Sequence, residues 1–102
     1  MLIVKGVNIF PIQIERVLIA MPEVDVNYLV ELTRENYNDV MHVKVEVKEE
    51  FFQEDMRYLH QLQKRLAEAL RNELLVTPKV ELVEPESLPR GEGKAKRIVD
   101  RR

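Results

Sequence analysis

Lys94 stands directly behind a pair of glycines in Leu88-Pro89-Arg90-Gly91-Glu92-Gly93-Lys94-Ala95-Lys96-Arg97. Glycine lets a backbone approach a ligand closely, and a lysine beside it is a mobile point charge that can meet a phosphate or a carboxylate. The other glycine stretch, Lys5-Gly6-Val7-Asn8-Ile9-Phe10-Pro11, lies at the opposite end of the chain. On spacing alone each stretch reads equally well as an ordinary turn, and the Lys94 stretch as a solvated basic tail. In residues 90–102 six basic residues face two acidic ones, a net of +4 in a chain whose total is -2, which leaves -6 on the first 89 residues. Such asymmetry points the tail toward an anion, whether nucleic acid, phosphate or an acidic surface, without choosing among them.

Other residues capable of chemistry have blander readings. His42 alternates with apolar neighbours and so belongs to the polar face of a strand, solvated. His60 lies beside a helix stripe with no second histidine or carboxylate spaced to share a metal, and reads as helix-boundary packing. Glu49-Glu50 has nothing apolar placed to raise either pKa, so a solvated turn is expected there, with Phe51 and Phe52 covering the core. The chain has no cysteine, which removes disulfides, thiolate zinc sites and a thiol nucleophile and points to a reducing compartment. No metal site is expected. The middle strands carry no aromatic platform for stacking bases, so nucleic acid is not expected as a partner. No apolar run nears the ~20 residues that cross a bilayer, so no membrane association is expected, and the cytoplasm is the expected location.

The elements that must position these residues follow from hydrophobic period. At 102 residues the chain suits one domain, residues 1–102, with one core. Leu2-Ile3-Val4 reads as a strand stopped by Gly6, and Pro11 opens a short helix whose stripe is Ile14, Val17, Leu18 and Met21, widened by Ile12 and Ile19. Val24, Val26, Tyr28, Val30 and Leu32 alternate with Asp25, Asn27, Leu29 and Glu31; after the turn formers at 35–39, Met41, Val43, Val45 and Val47 alternate with His42, Lys44, Glu46 and Lys48. A hairpin follows. Residues 54–75 return to helical period with Met56, Leu59, Leu62, Leu66, Ala69 and Leu70 as the stripe, and Val80, Leu82 and Val83 form a last strand before an extended C-terminal arm. The expected class is α+β, a ferredoxin-like βαββαβ sheet with two helices on one face and the charged face of the sheet outward. Fold of this kind leaves function open.

Two stretches together carry a resemblance. MLIVKGVNIFPIQIE at residues 1–15 and VELVEPESLPRGEGKAKRIVD at residues 80–100 resemble the C-terminal domain of phenylacetate-CoA ligases, within the adenylate-forming acyl-CoA synthetase superfamily. Gly6-x-x-Ile9-x-Pro11-x-x-Ile14-Glu15 looks like the hinge-proximal loop of that superfamily; Pro89-Arg90, Gly93-Lys94 and Arg97 look like its terminal lysine motif. Asn8 stands where the wider superfamily commonly has arginine, and the spacing before Lys94 is one residue short of the usual motif. Both departures fit the phenylacetate branch.

The resemblance implies a two-step ligase in which an aryl acid is activated by ATP to an acyl-adenylate and coenzyme A then displaces AMP. Lys94 would be its catalytic lysine over the carboxylate and nucleotide, accompanied by Gly93 and Arg97. Lys5, Gly6, Val7 and Asn8 would form the loop presented to the pantetheine tunnel in the second step, with Gly6 lining it. ATP and coenzyme A are the implied substrates, with Mg2+ bound through ATP and no cofactor belonging to this domain. The main implied partner is a large N-terminal domain with the phosphate loop and acid pocket. This chain has no such loop and is expected to be inactive alone, as a separated domain, a truncated gene product or a split subunit. Two alternatives remain open: the lid of a synthetase that adenylylates a deazaflavin coenzyme, or a free-standing regulatory module binding a small metabolite. An exposed strand edge also predicts a weak homodimer.

Overall fold

The structure is a computed structural model that describes residues 2–53, 55–88 and 98–102. Strands Leu2–Val4 (β1) and Val7–Ile9 (β2) pair antiparallel across a two-residue turn, Lys5-Gly6, with φ of 51° and 78°. Positive φ at both turn residues matches the twist of the flanking strands, and glycine adopts it without steric cost. Helix Pro11–Ile19 (α1) then begins on proline, whose missing N–H is no loss in a first turn. Gln13 Oε1 accepts the Phe10 N–H at 2.8 Å and caps the entry.

Val24–Glu35 (β3) and Asn38–Val47 (β4) form a long antiparallel hairpin, with a register shift between Val24 and Tyr28. Asn36 and Tyr37 make its tip, again with positive φ, 50° and 68°. The short helix Glu49–Phe52 (α2) leads to Met56–Leu74 (α3), which is capped where Asp55 Oδ1 accepts the Tyr58 N–H at 2.8 Å. It stops at Leu75, whose left-handed φ of 65° ends the helical path. Lys79–Val83 (β5) lies parallel to β4 after this crossover, and Ile98–Asp100 (β6) lies parallel to β3. The main sheet runs β5-β4-β3-β6.

The α+β class and the succession of strand, helix, two strands, helix and strand are as the sequence predicts. Sheet membership differs from the ferredoxin-like arrangement. The first strand closes on itself through Lys5-Gly6, so β1 and β2 form a separate two-stranded sheet, and the edge beside β3 is taken by β6 from the expected arm.

One face of the main sheet meets the helices. Val30, Leu32, Val43, Val45 and Val47 pack with Ile14 and Leu18 of α1 and with Leu62, Leu66, Leu70 and Leu74 of α3. The i, i+4 spacing of those four leucines makes one continuous stripe, and each contributes about 1.5–3 kcal/mol on burial. The stripes are narrower than the sequence predicts: Ile12, Ile19 and Met56 are 52%, 72% and 79% exposed. Only the arc of each helix facing the sheet finds apolar partners. The opposite sheet face is an open polar concavity lined by Glu31, Thr33, His42, Lys44, Lys79 and Glu81. Among the described residues no helix is long and apolar enough to cross a membrane.

Candidate functional site

The hairpin of β1 and β2 brings Lys5, Gly6, Val7 and Asn8 together at one end of the molecule. Val4 and Ile9 bury their side chains and fix its base, while Lys5, Gly6 and Asn8 are exposed and Val7 is half-buried. A Cβ at Gly6 would meet nothing within 4 Å, so the glycine is required within this chain by its backbone conformation and not by crowding.

Asp39, at the start of β4, holds the turn. Its Oδ2 accepts the Lys5 N–H at 3.0 Å and Arg102 Nη1 at 3.1 Å, and its Oδ1 accepts Arg34 Nε at 3.3 Å. The Lys5 N–H, then the Arg34 and Arg102 guanidiniums, hold the Asp39 carboxyl below the usual carboxylate range. Arg102 also donates to the Ile3 carbonyl at 2.7 Å and through Nε and Nη2 to Asp100 at 3.0 Å each, which draws Asp100 down to about 2. Residues just beyond β6 are thereby tied to the Lys5-Gly6 turn.

A different set of bonds governs the exit from β5. Residues 84–88 fold back over the outer face of β4, turning where Ser87 N and Oγ donate to the Glu84 carbonyl at 3.2 and 2.6 Å, with Glu86 at a left-handed φ of 61°. Beneath them Glu46 is 1% exposed. Its Oε1 accepts the Glu86 N–H at 2.9 Å, and its Oε2 accepts the Leu88 N–H at 3.1 Å and Asn27 Nδ2 at 2.7 Å. The alternation of β4 predicts Glu46 in solvent; it is buried because this segment covers it. Lys94, Gly93 and Arg97 lie outside the described residues. Asp39, Arg102, Glu46 and Asn27 have no signal in sequence spacing, since each reads as a turn former, tail charge or outward strand residue.

His42 and Lys44, on the outer sheet face, have local partners. His42 Nε2 lies 3.4 Å from Thr33 Oγ1 on the outer sheet face, where its strand period puts it. Lys44 Nζ approaches Glu31 at 3.2 Å and Glu81 at 4.0 Å. His60 is exposed on α3 instead of packed at a helix boundary, and Glu49 and Glu50 are exposed in α2. Phe51 and Phe52 are half-buried against the core, and the Phe51 ring stacks on Tyr58 with centroids 6.5 Å apart. Among the described residues no group of three or more His, Asp or Glu converges as a metal would require.

Residues 6–102 match the AMP-binding enzyme C-terminal domain. The chain belongs to this family of AMP-binding enzyme C-terminal domains. It is 41% identical to the phenylacetate-coenzyme A ligase of Thermus thermophilus over 116 residues, an alignment covering 100% of this chain and 26% of that relative. The chain thus spans about a quarter of the length of the curated relatives it matches. A crystal structure of a domain of phenylacetate-coenzyme A ligase from Bacteroides vulgatus superposes with a TM-score of 0.89 at 42% identity, covering 98% of this chain and 91% of that one. A 2-hydroxyisobutyryl-CoA ligase bound to its acyl-AMP and coenzyme A in the thioesterification state superposes with a TM-score of 0.90 at 30% identity, over 98% of this chain and 21% of that one. The same ligase in its postadenylation state gives 0.85, also at 30% identity, over 100% of this chain and 22% of that one.

Proposed function

We propose that the AMP-binding C-terminal domain described here is the mobile catalytic domain of a phenylacetate-CoA ligase-like enzyme. In the first step a carboxylate oxygen of an aryl acid attacks the α-phosphorus of ATP, and pyrophosphate leaves. In the second the thiolate sulfur of coenzyme A attacks the acyl carbon of the adenylate, and AMP leaves. Mg2+ enters bound to ATP, as part of that substrate. An N-terminal domain supplies the nucleotide and acid pockets, and a chain without cysteine handling ATP and coenzyme A suits the cytoplasm.

The observation that carries this reading is the Lys5-Gly6 turn: an exposed, two-residue tip, held by Asp39 and free of any side chain at Gly6, is a shape that can enter a narrow channel. It serves the thioester step, with Lys5, Val7 and Asn8 beside it. Lys94 serves the adenylation step, offsetting negative charge as the α-phosphorus rearranges, with Gly93 giving its backbone room and Arg97 meeting phosphate. That one fold superposes on the related ligase in both its postadenylation and its thioesterification states supports a domain that turns as a unit between two tasks.

The test uses a chimera of this chain joined to the N-terminal region of the Thermus thermophilus relative. Loss of one such electrostatic group typically costs about 10²–10³ in rate. Lys94→Ala is therefore expected to lower acyl-adenylate formation by that factor while thioester formation from supplied acyl-adenylate stays within a few-fold. Equal adenylation rates for the two forms would remove Lys94 from the site.

A further inference from the structure

We propose that Glu46 is a positioning residue for the adenylation half-reaction: it fixes residues 84–88 on the outer face of the sheet and so sets the point from which the chain departs toward Lys94. This rests on the reading of Lys94 given above, and it adds a residue some fifty positions away in sequence that no motif of the chain marks.

The burial of Glu46 is hard to explain by stability alone. A carboxylate taken out of water is costly unless its oxygens are filled, and an apolar residue of similar size would serve a core as well or better. Here the donors are specific. Among the described residues they include the main-chain N–H groups of Glu86 and Leu88, in one short segment, and Asn27 Nδ2 from the neighbouring strand β3. Bonds to main chain hold a path, whatever side chains the segment carries. Three further features over-determine that path. Glu86 is kept in the left-handed region at φ 61°. Ser87 closes the turn twice onto the Glu84 carbonyl. Leu88 buries its side chain, 8% exposed, although it lies on the polar side of the sheet.

Strain kept in place by several independent contacts marks a position whose geometry matters. The support beneath is rigid, because β4 is an inner strand flanked by β3 and β5, and Asn27 ties the carboxylate across to β3. Leu88 is six residues before Lys94. A charge meant for a rearranging phosphoryl centre loses its effect with small displacements, so the root of its segment needs fixing as much as its tip.

The experiment uses the same chimera with Glu46→Gln, Glu46→Asp and Lys94→Ala. Glutamine leaves one accepting oxygen where the carboxylate offers two to Glu86, Leu88 and Asn27, and aspartate falls a methylene short of them. Amide hydrogen exchange at Glu86 and Leu88 is expected to quicken in both Glu46 variants. Adenylation is expected to fall about tenfold or more, while thioester formation from supplied acyl-adenylate stays within twofold. A purely structural role predicts otherwise: both half-reactions fall together and track the loss in Tm, which overturns the proposal. So does unchanged exchange at the two amides, or a full adenylation rate in Glu46→Gln beside an impaired Lys94→Ala. Full adenylation in Lys94→Ala instead overturns the Lys94 reading itself and, with it, the purpose assigned to Glu46.

Discussion

Replacing Gly6 separates what the turn needs from what the reaction needs. At φ 78° an alanine pays only in backbone, because its Cβ would meet nothing within 4 Å. An L-residue other than glycine costs roughly 1–2 kcal/mol in the left-handed region. For a domain of this size each kcal/mol moves Tm by about 4–8 °C, so Gly6→Ala should melt roughly 5–15 °C lower. Asparagine tolerates left-handed backbone far better, so Gly6→Asn should melt close to the parent despite its larger side chain. Catalysis should order the variants differently. If the tip enters a channel in the thioester step, both side chains obstruct it, and asparagine, being larger, obstructs more. Thermal melts of the free chain and thioester formation from supplied acyl-adenylate by the chimera give the two orders. A thioester rate that follows stability, impaired in Gly6→Ala and intact in Gly6→Asn, would refute the channel role and leave Gly6 as a turn residue only.

Two other expectations concern stability. Tyr37 is 98% exposed at the β3–β4 tip with φ 68°, beside Asn36 at 50°, so Tyr37→Gly should relieve strain and stabilise by about 0.5–1 kcal/mol, read as a higher denaturant midpoint at unchanged slope. Asp100, drawn down to about 2 by Arg102, with Asp39 also lowered and Glu23 lowered by its hydrogen bond from the Arg65 guanidinium on α3, contributes stability that is complete above the unfolded carboxylate range and lost as pH falls from about 4 toward 2. Arg102→Gln should lower stability above pH 4 and flatten the decline below it, measured as Tm between pH 2 and 6; an identical pH profile would contradict the role of Arg102.

The long hairpin and both main helices were legible because period alone identifies them: Tyr28, Val30 and Leu32 alternate, and Leu62, Leu66 and Leu70 repeat at helical spacing. Sheet membership was not, because a three-residue strand such as Leu2–Val4 pairs wherever tertiary structure offers an edge. One signal was available: two residues ending in glycine between LIV and VNI mark a tight hairpin. Ile98–Asp100 lies among charges and gives no period to read. Within the site, Gly6 and its neighbours were legible as a turn whose left-handed backbone glycine adopts without steric cost. Glu46 was not, since alternation assigns it to solvent and its cover includes residues 84–88, which return to it from some forty positions away in sequence. Asp39 reads as one turn former among several, and its convergence with Lys5 and Arg102 joins positions 34 and 63 residues apart.

The most direct test adds this chain in trans to the isolated N-terminal region of the Thermus thermophilus phenylacetate-coenzyme A ligase and follows acyl-adenylate formation in a single turnover. A catalytic domain that supplies Lys94 should raise the rate by about 10² or more, saturably with chain concentration, and Lys94→Ala should add nothing. A rate unchanged by the chain, while a C-terminal region from the Thermus enzyme restores it under the same conditions, would contradict the proposed function.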